Sequence, residues 1–590
     1  MPAMAGAWGF WPIGLLLAAL SGCRLANRWR PEGPPADRLA AAATLAVAWP
    51  TLLVRLLAGF GVLSPWLFLA ALGAPAIAGD PSPPKDAGRR IEPGTAAPLA
   101  LGIAALGLAV AAAAWLPIWQ WDSIGYHLPF VNFTLQAGSL AGVPRDAPYL
   151  GSYPHAIELI FLAERMLLPD DRLLDLGQIP LALAGAAALA ALARREGASR
   201  ATSIAAGALW IALPAVFLQM PSNYVDVGSA AYLLLAIYWV SSPPDPAAVL
   251  LAGLALGLYL GSKANAPIAV AVLGGWLAVR AARAGRGAAI LGAAFVALAT
   301  GGESYVRNLL VHRNPIWPVA LALGRLKLPG EHTLPELLAA GANAPHLTGP
   351  LPLRLLRSWT ALLPPHPMVD MRIGGFGPLF LLVLPAGMLG LWRRRRRLAA
   401  PILATLCTAD PAIARYTLAF PAAMLALAAA EAAALSTRAR AWALRAVALG
   451  GAVGLAVSVP GLTGGGPPLL GFARLSPEAR LRGLGPDGPP GRLIDLRRSI
   501  GAGEAIAYGE AFDLAYLLWK PDGSNRVLRV PRRLTRAVLD GWISEQRVRL
   551  LLAGAGEQAD RLARAAPARF NPEGPCGGSE PSCRVYRVVW

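Results

Sequence analysis

The fold is decided by the apolar stretch from Pro98 to Pro117, PLALGIAALGLAVAAAAWLP, which contains no charged residue. A helix of this length is about 30 Å long, which is the thickness of the hydrocarbon core of a bilayer. Similar stretches recur along the 590-residue chain, which is 55% hydrophobic and 15% charged. Because ordinary soluble domains carry about 25% charged residues, the composition excludes a soluble enzyme, a disordered protein and a β-barrel. It predicts an all-α polytopic membrane protein.

The apolar stretches predict about fourteen transmembrane helices. They cover residues 8–24, 39–58, 60–79, 98–118, 176–194, 200–219, 225–242, 247–262, 265–282, 287–302, 373–392, 398–410, 416–435 and 441–460. The sequence LSGC at Leu20–Cys23 resembles a lipoprotein cleavage site. Residues 1–10 contain no Lys or Arg, however, and a charged leading region is typical of signal peptides. We therefore expect an uncleaved first helix.

Arginine in short loops supplies most of the net charge of +19. Under this count the basic loops share one side of the membrane, which the positive-inside rule makes the cytoplasm. These loops contain Arg24/Arg28/Arg30, Lys85/Arg89/Arg90, Arg194/Arg195/Arg200, Arg280/Arg283/Arg286, Arg393 to Arg397 and Arg438/Arg440. The topology explains the charge better than nucleic-acid binding does, so we expect a multi-pass protein of the bacterial plasma membrane with no nucleic-acid partner.

Three regions follow along the chain: N-terminal helices in 1–97, a transmembrane core in 98–460, and a linker with a small extracytoplasmic α/β domain in 461–590. The core has outer loops at 119–175 and 303–372. Within the first, the segment 153–168 is predicted to be an amphipathic helix on the membrane surface. In the tail, Cys576 and Cys583 flank a short polar segment that a disulfide could close in an oxidising compartment.

The first outer loop begins with WQWDSIGYHLP, residues 119–129. An aromatic trio at this place is typical of membrane-interface anchoring. Asp122 is less ordinary, because partial desolvation at the membrane boundary should raise the pKa of its carboxyl and its strength as a base. The alternative is a helix cap or a surface charge.

Further motifs occur in order along the chain. They are TLQAG at 134–138, SYPHAIE at 152–158, ARREGASR at 193–200, LGLYLGSK at 256–263, YVRNLL at 305–310, RNPIWP at 313–318 and RYTLAFP at 415–421. Together with the Asp122 motif, this set resembles the bacterial C-type glycosyltransferases, relatives of the protein-O-mannosyltransferases and the lipid A aminoarabinose transferases. The resemblance covers roughly residues 98–435, and the three helices before residue 98 have no counterpart in it.

The resemblance implies a membrane enzyme with a polyprenyl-phosphate-linked sugar as donor. The acceptor would be an envelope lipid, glycan or protein reached from the outer face. Asp122 would serve as general base, or would orient the acceptor hydroxyl, and the transfer would invert the anomeric carbon. No cofactor is expected. Because Ser123 and not a second acid follows Asp122, a metal is disfavoured, although a divalent ion held with Asp226 or Glu158 stays open.

Three cations on the outer side are candidates for binding the donor phosphate: Lys263, Arg307 and Arg415. Ionisable residues at membrane depth are functional by default, and Arg suits bidentate phosphate contacts. The remaining candidates for the substrate pocket are Tyr126, His127, His155, Glu158 and Asp226.

Two other classes of protein remain open at this point. A transporter or flippase of lipid-linked sugars would use the same cations without needing Asp122 as a base, but the internal repeats typical of transporters are not visible. A non-catalytic envelope assembly protein would depend on its tail.

Overall fold

The computed structural model describes residues 10–590 except 31, 78–91, 337–348, 361–374, 465, 485–490, 511, 513, 533–534 and 577–582. The N-terminal helices are α1 (Phe10–Trp29), α2 (Pro35–Gly59) and α3 (Pro65–Ile77). The core helices are α4 (Ala96–Trp115), α5 (Leu128–Ala137), α6 (Pro148–Ser152), α7 (Glu158–Leu167), α8 (Gln178–Arg195), α9 (Arg200–Ile211), α10 (Pro214–Gln219), α11 (Asp226–Ser241), α12 (Pro246–Leu260), α13 (Ala266–Arg283), α14 (Gly287–Gly301), α15 (Glu303–His312), α16 (Leu351–Thr360), α17 (Gly377–Arg393), α18 (Arg395–Leu403), α19 (Ala419–Glu431) and α20 (Thr437–Ser458).

The tail contains short helices and a five-stranded sheet. Its helices are α21 (Leu469–Phe472), α22 (Pro477–Arg482), α23 (Gly491–Arg498), α24 (Arg536–Gln546) and α25 (Gln558–Arg564). A three-stranded sheet in the second outer loop comprises β1 (Val319–Leu323), β2 (Leu326–Leu328) and β3 (His332–Thr333), and the tail sheet comprises β4 (Ala505–Tyr508), β5 (Arg526–Arg529), β6 (Val548–Gly554), β7 (Phe570–Pro575) and β8 (Cys583–Val588).

Within the described residues, each predicted transmembrane segment overlaps a helix or a broken helix, and residues 8–9, 78–79 and 373–374 of three segments lie outside them. By length and composition alone, six helices among the described residues can cross a membrane, or seven if α14 and α15, which meet at 69°, form one span. Others are shorter, such as α11 and α12 with 16 and 15 residues. The predicted span 200–219 is broken before Pro214, since proline cannot continue a helix without losing a backbone hydrogen bond. The count of about fourteen stays a prediction.

Small residues let the helices approach closely. Gly253 and Gly257 of α12 face α14, where an added Cβ would lie 2.4 Å from the carbonyl oxygen of Ala293 and 2.7 Å from that of Ala297. This spacing is the small-xxx-small pattern by which membrane helices pack backbone to backbone. The N-terminal helices join the same bundle, because the Trp239 indole of α11 donates to Thr44 Oγ1 of α2 at 2.9 Å.

The basic loops meet at one end of the bundle, which we call the arginine-rich end. The ion pairs between them are Arg30 with Asp245 at 2.7 Å, Arg394 with Glu196 at 3.1 Å, Arg394 with Glu431 at 2.5 Å, and Arg397 with Glu196. The loop with Lys85, Arg89 and Arg90 lies outside the described residues. The short turns after α10 and α12 and before α19 lie at the opposite end, together with the tail.

The tail sheet has the strand order β5-β4-β6-β8-β7, with β4 parallel to β5 and β6 and with β8 antiparallel to its two neighbours. Strand β7 contains Pro572 and Pro575 and lies at the sheet edge, where proline is tolerated. Cys576 and Cys583, at the β7–β8 connection, form a disulfide with their Cα atoms 5.3 Å apart.

The tail docks on the first outer loop through Gln136 of α5. Its side-chain oxygen accepts from the Val527 N–H at 2.9 Å and from the Trp519 indole at 3.2 Å, and its amide donates to the Val527 carbonyl at 3.0 Å. With its two bonds to the backbone of Val527, the Gln136 side chain pairs with the edge strand β5.

The helix expected over 153–168 is shorter in the structure, Glu158–Leu167, and its acidic residues do not face water. Helix α7 packs against α5 and α2, and its acidic residues Glu158 and Glu164 are buried. Arg165 donates to the Pro521 carbonyl of the tail at 3.0 Å. The polar side of α7 is therefore explained by packing, because neighbouring protein and not water contacts it. The second outer loop contains α15, the three-stranded sheet and α16, none of which was predicted from the sequence.

Candidate functional site

Asp122 follows the end of α4 and immediately precedes a turn of π-helix at Ser123–His127. Such turns insert one residue into the helical repeat and are frequent at functional sites. The backbone N–H of Asp122 donates to the Tyr224 hydroxyl at 3.4 Å, and the N–H of Asn223 donates to Ser123 Oγ at 3.2 Å. These bonds tie the first outer loop to the turn before α11.

Asp226 is the first residue of α11, and the buried side chain of Gln178 organises this helix start. Gln178 Oε1 accepts from the N–H groups of Val227 and Gly228 at 3.1 and 3.3 Å, and its amide donates to the Gln219 carbonyl at 2.7 Å. A carboxylate at a helix N-terminus also interacts favourably with the helix dipole. The sequence thus places an anion where the backbone favours one.

Four charged side chains converge at this end of the bundle, and we call them the Asp122–Arg415 cluster: Asp122, Asp226, Lys263 and Arg415. Arg415 lies in a 3-10 turn, and its Nη1 is 2.8 Å from Asp122 Oδ2 and 3.4 Å from Asp226 Oδ2. Lys263 Nζ pairs with the other oxygen of Asp226. The side chain of Asp226 is only 2% exposed and that of Arg415 7% exposed, so the pairs are shielded from water.

Two tyrosines cover the cations of the cluster. Lys263 Nζ lies 3.9 Å from the centre of the Tyr416 ring, and Arg415 Cζ lies 5.0 Å from that of Tyr224 and 5.2 Å from that of Tyr416. Ring faces attract cations, most strongly where water is excluded. The cations are therefore held in place by aromatic faces as well as by carboxylates.

The expectation that Asp122 has a raised pKa is wrong. Burial alone would raise the pKa of this carboxyl, but the charge of Arg415, with further contributions from His127 and Lys263, holds it below its ordinary value. Asp122 is consequently ionised at neutral pH.

A second buried group lies beside the π-helical turn. His127 Nδ1 is 2.7 Å from Glu158 Oε1, and His155 Nδ1 is 3.5 Å from the same oxygen. Burial would raise the pKa of Glu158, but hydrogen bonds to His127 and His155 lower it to about 2. The His155 ring stacks on Phe130 at 3.8 Å, and its Nε2 lies 3.0 Å from the Leu150 carbonyl. Glu158 thus fixes the two histidines.

Tyr126, also in the π-helical turn, stands in a group of aromatic rings. Its ring centre is 4.2 Å from that of His127, 5.9 Å from Tyr149 and 6.1 Å from Tyr153. Burial and the negative charge of Asp122 raise the pKa of its hydroxyl well above the ordinary value. The hydroxyl stays protonated and can donate a hydrogen bond beside Asp122.

Arg307 is not brought into the Asp122–Arg415 cluster. It lies on α15, donates to Glu303 Oε1 at 2.9 Å and lines a separate cavity of about 240 Å³. Of the three cations predicted to bind the donor phosphate, Lys263 and Arg415 lie together and Arg307 lies apart from them.

The space beside the cluster is small. A cavity of about 10 Å³ is bordered by Asp226, Lys263, Arg415 and Tyr416, which is room for roughly one water molecule. Among the described residues, no group of three His, Cys, Asp or Glu side chains is placed to hold a metal ion. The carboxylates Asp122 and Asp226 have Arg415 between them.

Sequence reasoning missed three residues that build the site: Tyr224, Gln178 and Tyr416. Tyr416 was visible inside the RYTLAFP motif as the neighbour of Arg415. Gln178 had a weaker signal, since a lone amide at the start of an apolar helix is unusual in a membrane protein. Tyr224 had no signal beyond its closeness to Asp226.

No protein-family model matches the chain, and no curated protein matches its sequence. Among solved structures, ArnT from Cupriavidus metallidurans in the apo state is similar with a TM-score of 0.51 and 14% identity, over 83% of this chain and 97% of that one. ArnT bound to undecaprenyl phosphate gives a TM-score of 0.46 and 15% identity over the same shares. The apo structure shows that the chain shares the overall fold of ArnT, and the resemblance seen in its sequence motifs is confirmed at the level of the fold.

Proposed function

We propose that the protein is an integral membrane glycosyltransferase that transfers a pentosyl or hexosyl group from a polyprenyl-phosphate carrier to a hydroxyl of an envelope lipid, glycan or protein. The observation that carries this proposal is the buried pairing of Asp122 and Asp226 with Arg415 and Lys263, away from the arginine-rich end. Two cations held by two carboxylates are able to exchange those partners for a phosphate.

In this mechanism Lys263 and Arg415 bind the donor phosphate and stabilise it as it leaves. A phosphate that takes over Arg415 releases Asp122, which is then free to accept the proton of the acceptor hydroxyl. The oxygen attacks the anomeric carbon as the bond to the phosphate breaks, so the configuration inverts. Tyr126, His127 and Glu158 form the adjoining wall, and a divalent ion is not required.

The orientation belongs to the same proposal. The arginine-rich end faces the cytoplasm of a bacterial inner membrane. The Asp122–Arg415 cluster and the α/β domain in 461–590 then face outward, where an oxidising compartment favours the Cys576–Cys583 disulfide.

The test is transfer by the purified protein in detergent, with a panel of radiolabelled polyprenyl-phosphate sugars and a membrane extract as acceptor. We expect Asp122→Asn to lower the rate about a hundredfold or more, the usual contribution of a general base, while retaining donor binding. Asp245→Asn, the same change at the arginine-rich end, is the control and should transfer like the wild type. Donor binding without transfer by the wild type would instead favour a transporter or an enzyme that has lost its activity, and equal transfer by the wild type and Asp122→Asn would remove Asp122 as the base.

A further inference from the structure

We propose that Asp410 is a positioning residue for the donor-phosphate site, because its contacts hold Arg415 at a fixed separation from Lys263. Asp410 lies in the 408–413 segment, which precedes the 3-10 turn of Arg415. It is only 8% exposed, yet it is not one of the four side chains of the Asp122–Arg415 cluster. The inference rests on the proposed function, since it concerns the same two cations.

Hydrogen bonds connect Asp410 to the turn that carries Arg415. Asp410 Oδ1 accepts from the N–H of Ala412 at 3.0 Å, and the Asp410 carbonyl accepts from the N–H of Ile413 at 3.1 Å. The carbonyl of Ile413 accepts in turn from the N–H of Tyr416 at 2.9 Å. The conformation of the turn at Arg415 therefore depends on the turn that Asp410 begins.

Helix α16 of the second outer loop holds the same segment. Arg354 donates to Asp410 Oδ2, and the Trp359 indole donates to the Pro411 carbonyl at 3.1 Å. The ring centre of Trp359 also lies 5.3 Å from that of Phe420, which follows the 3-10 turn. One helix thus contacts the chain on both sides of that turn.

The 408–413 segment also reaches the turn of the second cation. Asn265, close to Lys263 in the chain, donates from Nδ2 to Thr408 Oγ1 at 2.6 Å. Asn265, Lys263 and Arg415 border the same small cavity. The segment therefore connects the turns of both cations. A ligand that uses two cations binds more tightly when their separation is fixed in advance, because less freedom is lost on binding.

The pair of Asp410 with Arg354 is largely shielded from water. The side chain of Asp410 is 11% exposed and that of Arg354 is 25% exposed. Breaking a largely buried pair leaves one charge without its partner, which costs more than the loss of an exposed pair. Loss of either side chain should therefore loosen the 408–413 segment.

The test is the Kd of undecaprenyl phosphate for the full-length protein in detergent, after each variant has shown a single thermal transition. We expect Asp410→Ala to weaken binding by about threefold to tenfold, the usual value of a hydrogen bond. Asp410→Asn retains an acceptor for the Ala412 N–H and should bind more tightly than Asp410→Ala. Asp522→Ala is the matched control and should bind like the wild type, because exposed Asp522 makes the same kind of turn in the tail, where its Oδ1 accepts from the Ser524 N–H at 3.0 Å.

A double-variant cycle shows whether Asp410 acts through Arg415. In the Arg415→Met background, Asp410→Ala should cause no further loss of affinity, whereas independent contributions would add. Arg354→Met removes the more exposed partner of the pair and should weaken binding as Asp410→Ala does. The test therefore does not depend on Asp410→Ala folding normally.

Three results would overturn the inference. Wild-type affinity in both Asp410→Ala and Arg354→Met, with weaker binding by Arg415→Met, would remove the positioning role and leave the proposed function standing. Equal losses from Asp410→Ala in both backgrounds would show that Asp410 does not act through Arg415. Equal affinity of the wild type and Arg415→Met would remove the donor-phosphate site itself, and the positioning role with it.

Discussion

The two ends of the helix bundle contain ion pairs of different construction. At the arginine-rich end, carboxylates pair with arginines alone and the exposure is mixed: the side chain of Arg393 is 57% exposed and that of Asp245 37%, whereas that of Glu196 is 1% exposed. In the Asp122–Arg415 cluster, each of the two carboxylates and two cations is at most 19% exposed, and tyrosine rings lie against both cations. Topology explains the first set, since positive loops mark one side of a membrane. It does not explain the second, which indicates function.

The largest expected effect concerns Asp226. Asp226→Asn leaves Lys263 and part of Arg415 without a counter-charge in a buried place, and we expect a loss of about 3–5 kcal/mol in unfolding free energy. Asp245→Asn should cost less than about 1 kcal/mol, because Arg30 keeps Asp37 and the side chain is partly in water. Denaturation of the two variants in detergent measures both. Equal losses of unfolding free energy in the two variants would show that the ion pairs at the two ends do not differ in their contribution to stability.

The next effect is a pH dependence at Glu158. Its folded pKa of about 2 lies below the ordinary value of 4.5. The stabilisation from its histidine contacts is thus fully present above about pH 4.5 and is lost as the pH falls to about 2. We expect Glu158→Gln to flatten this loss, by up to about 3 kcal/mol, when stability is measured across that window. An unchanged acid profile in the variant would show that Glu158 is not paired with the histidines.

A smaller effect is expected where the tail docks. Gln136→Leu removes three hydrogen bonds between α5 and the tail, each worth about 1 kcal/mol. We expect faster hydrogen exchange in β5 with little change in the transmembrane helices. Gln558→Leu, at the exposed start of α25 in the tail and away from both α5 and β5, is the matched control. Equal protection of β5 in all three proteins would show that other contacts hold the tail.

The smallest effect is expected at the arginine-rich end itself. Arg393→Gln removes one exposed partner of Glu431, which keeps Arg394. We expect a change below about 1 kcal/mol in unfolding free energy and no change in sugar transfer. A large loss of transfer here would show that the arginine-rich end does more than set topology.

The sequence predicted the helices well because each needs only a local run of apolar residues. It also singled out Lys263 and Arg415, since cations away from the basic loops are unexpected. The prediction failed where residues far apart in the chain come together. Arg415 is 293 positions from Asp122, and its charge reverses the predicted direction of the pKa shift of the Asp122 carboxyl. The buried setting of α7 depended on α2 and the tail, which no local pattern shows. The separation of Arg307 from Lys263 likewise required the full packing of α2 and α15.

The most direct test of the central claim is the Kd of undecaprenyl phosphate for three proteins: the wild type, Arg415→Met and Arg394→Met. All three would first be checked for a single thermal transition. We predict that Arg415→Met weakens binding by about tenfold to a hundredfold, while Arg394→Met binds like the wild type. Equal affinity in all three proteins would contradict it, because the buried charges around Asp122 would then not be the donor-phosphate site.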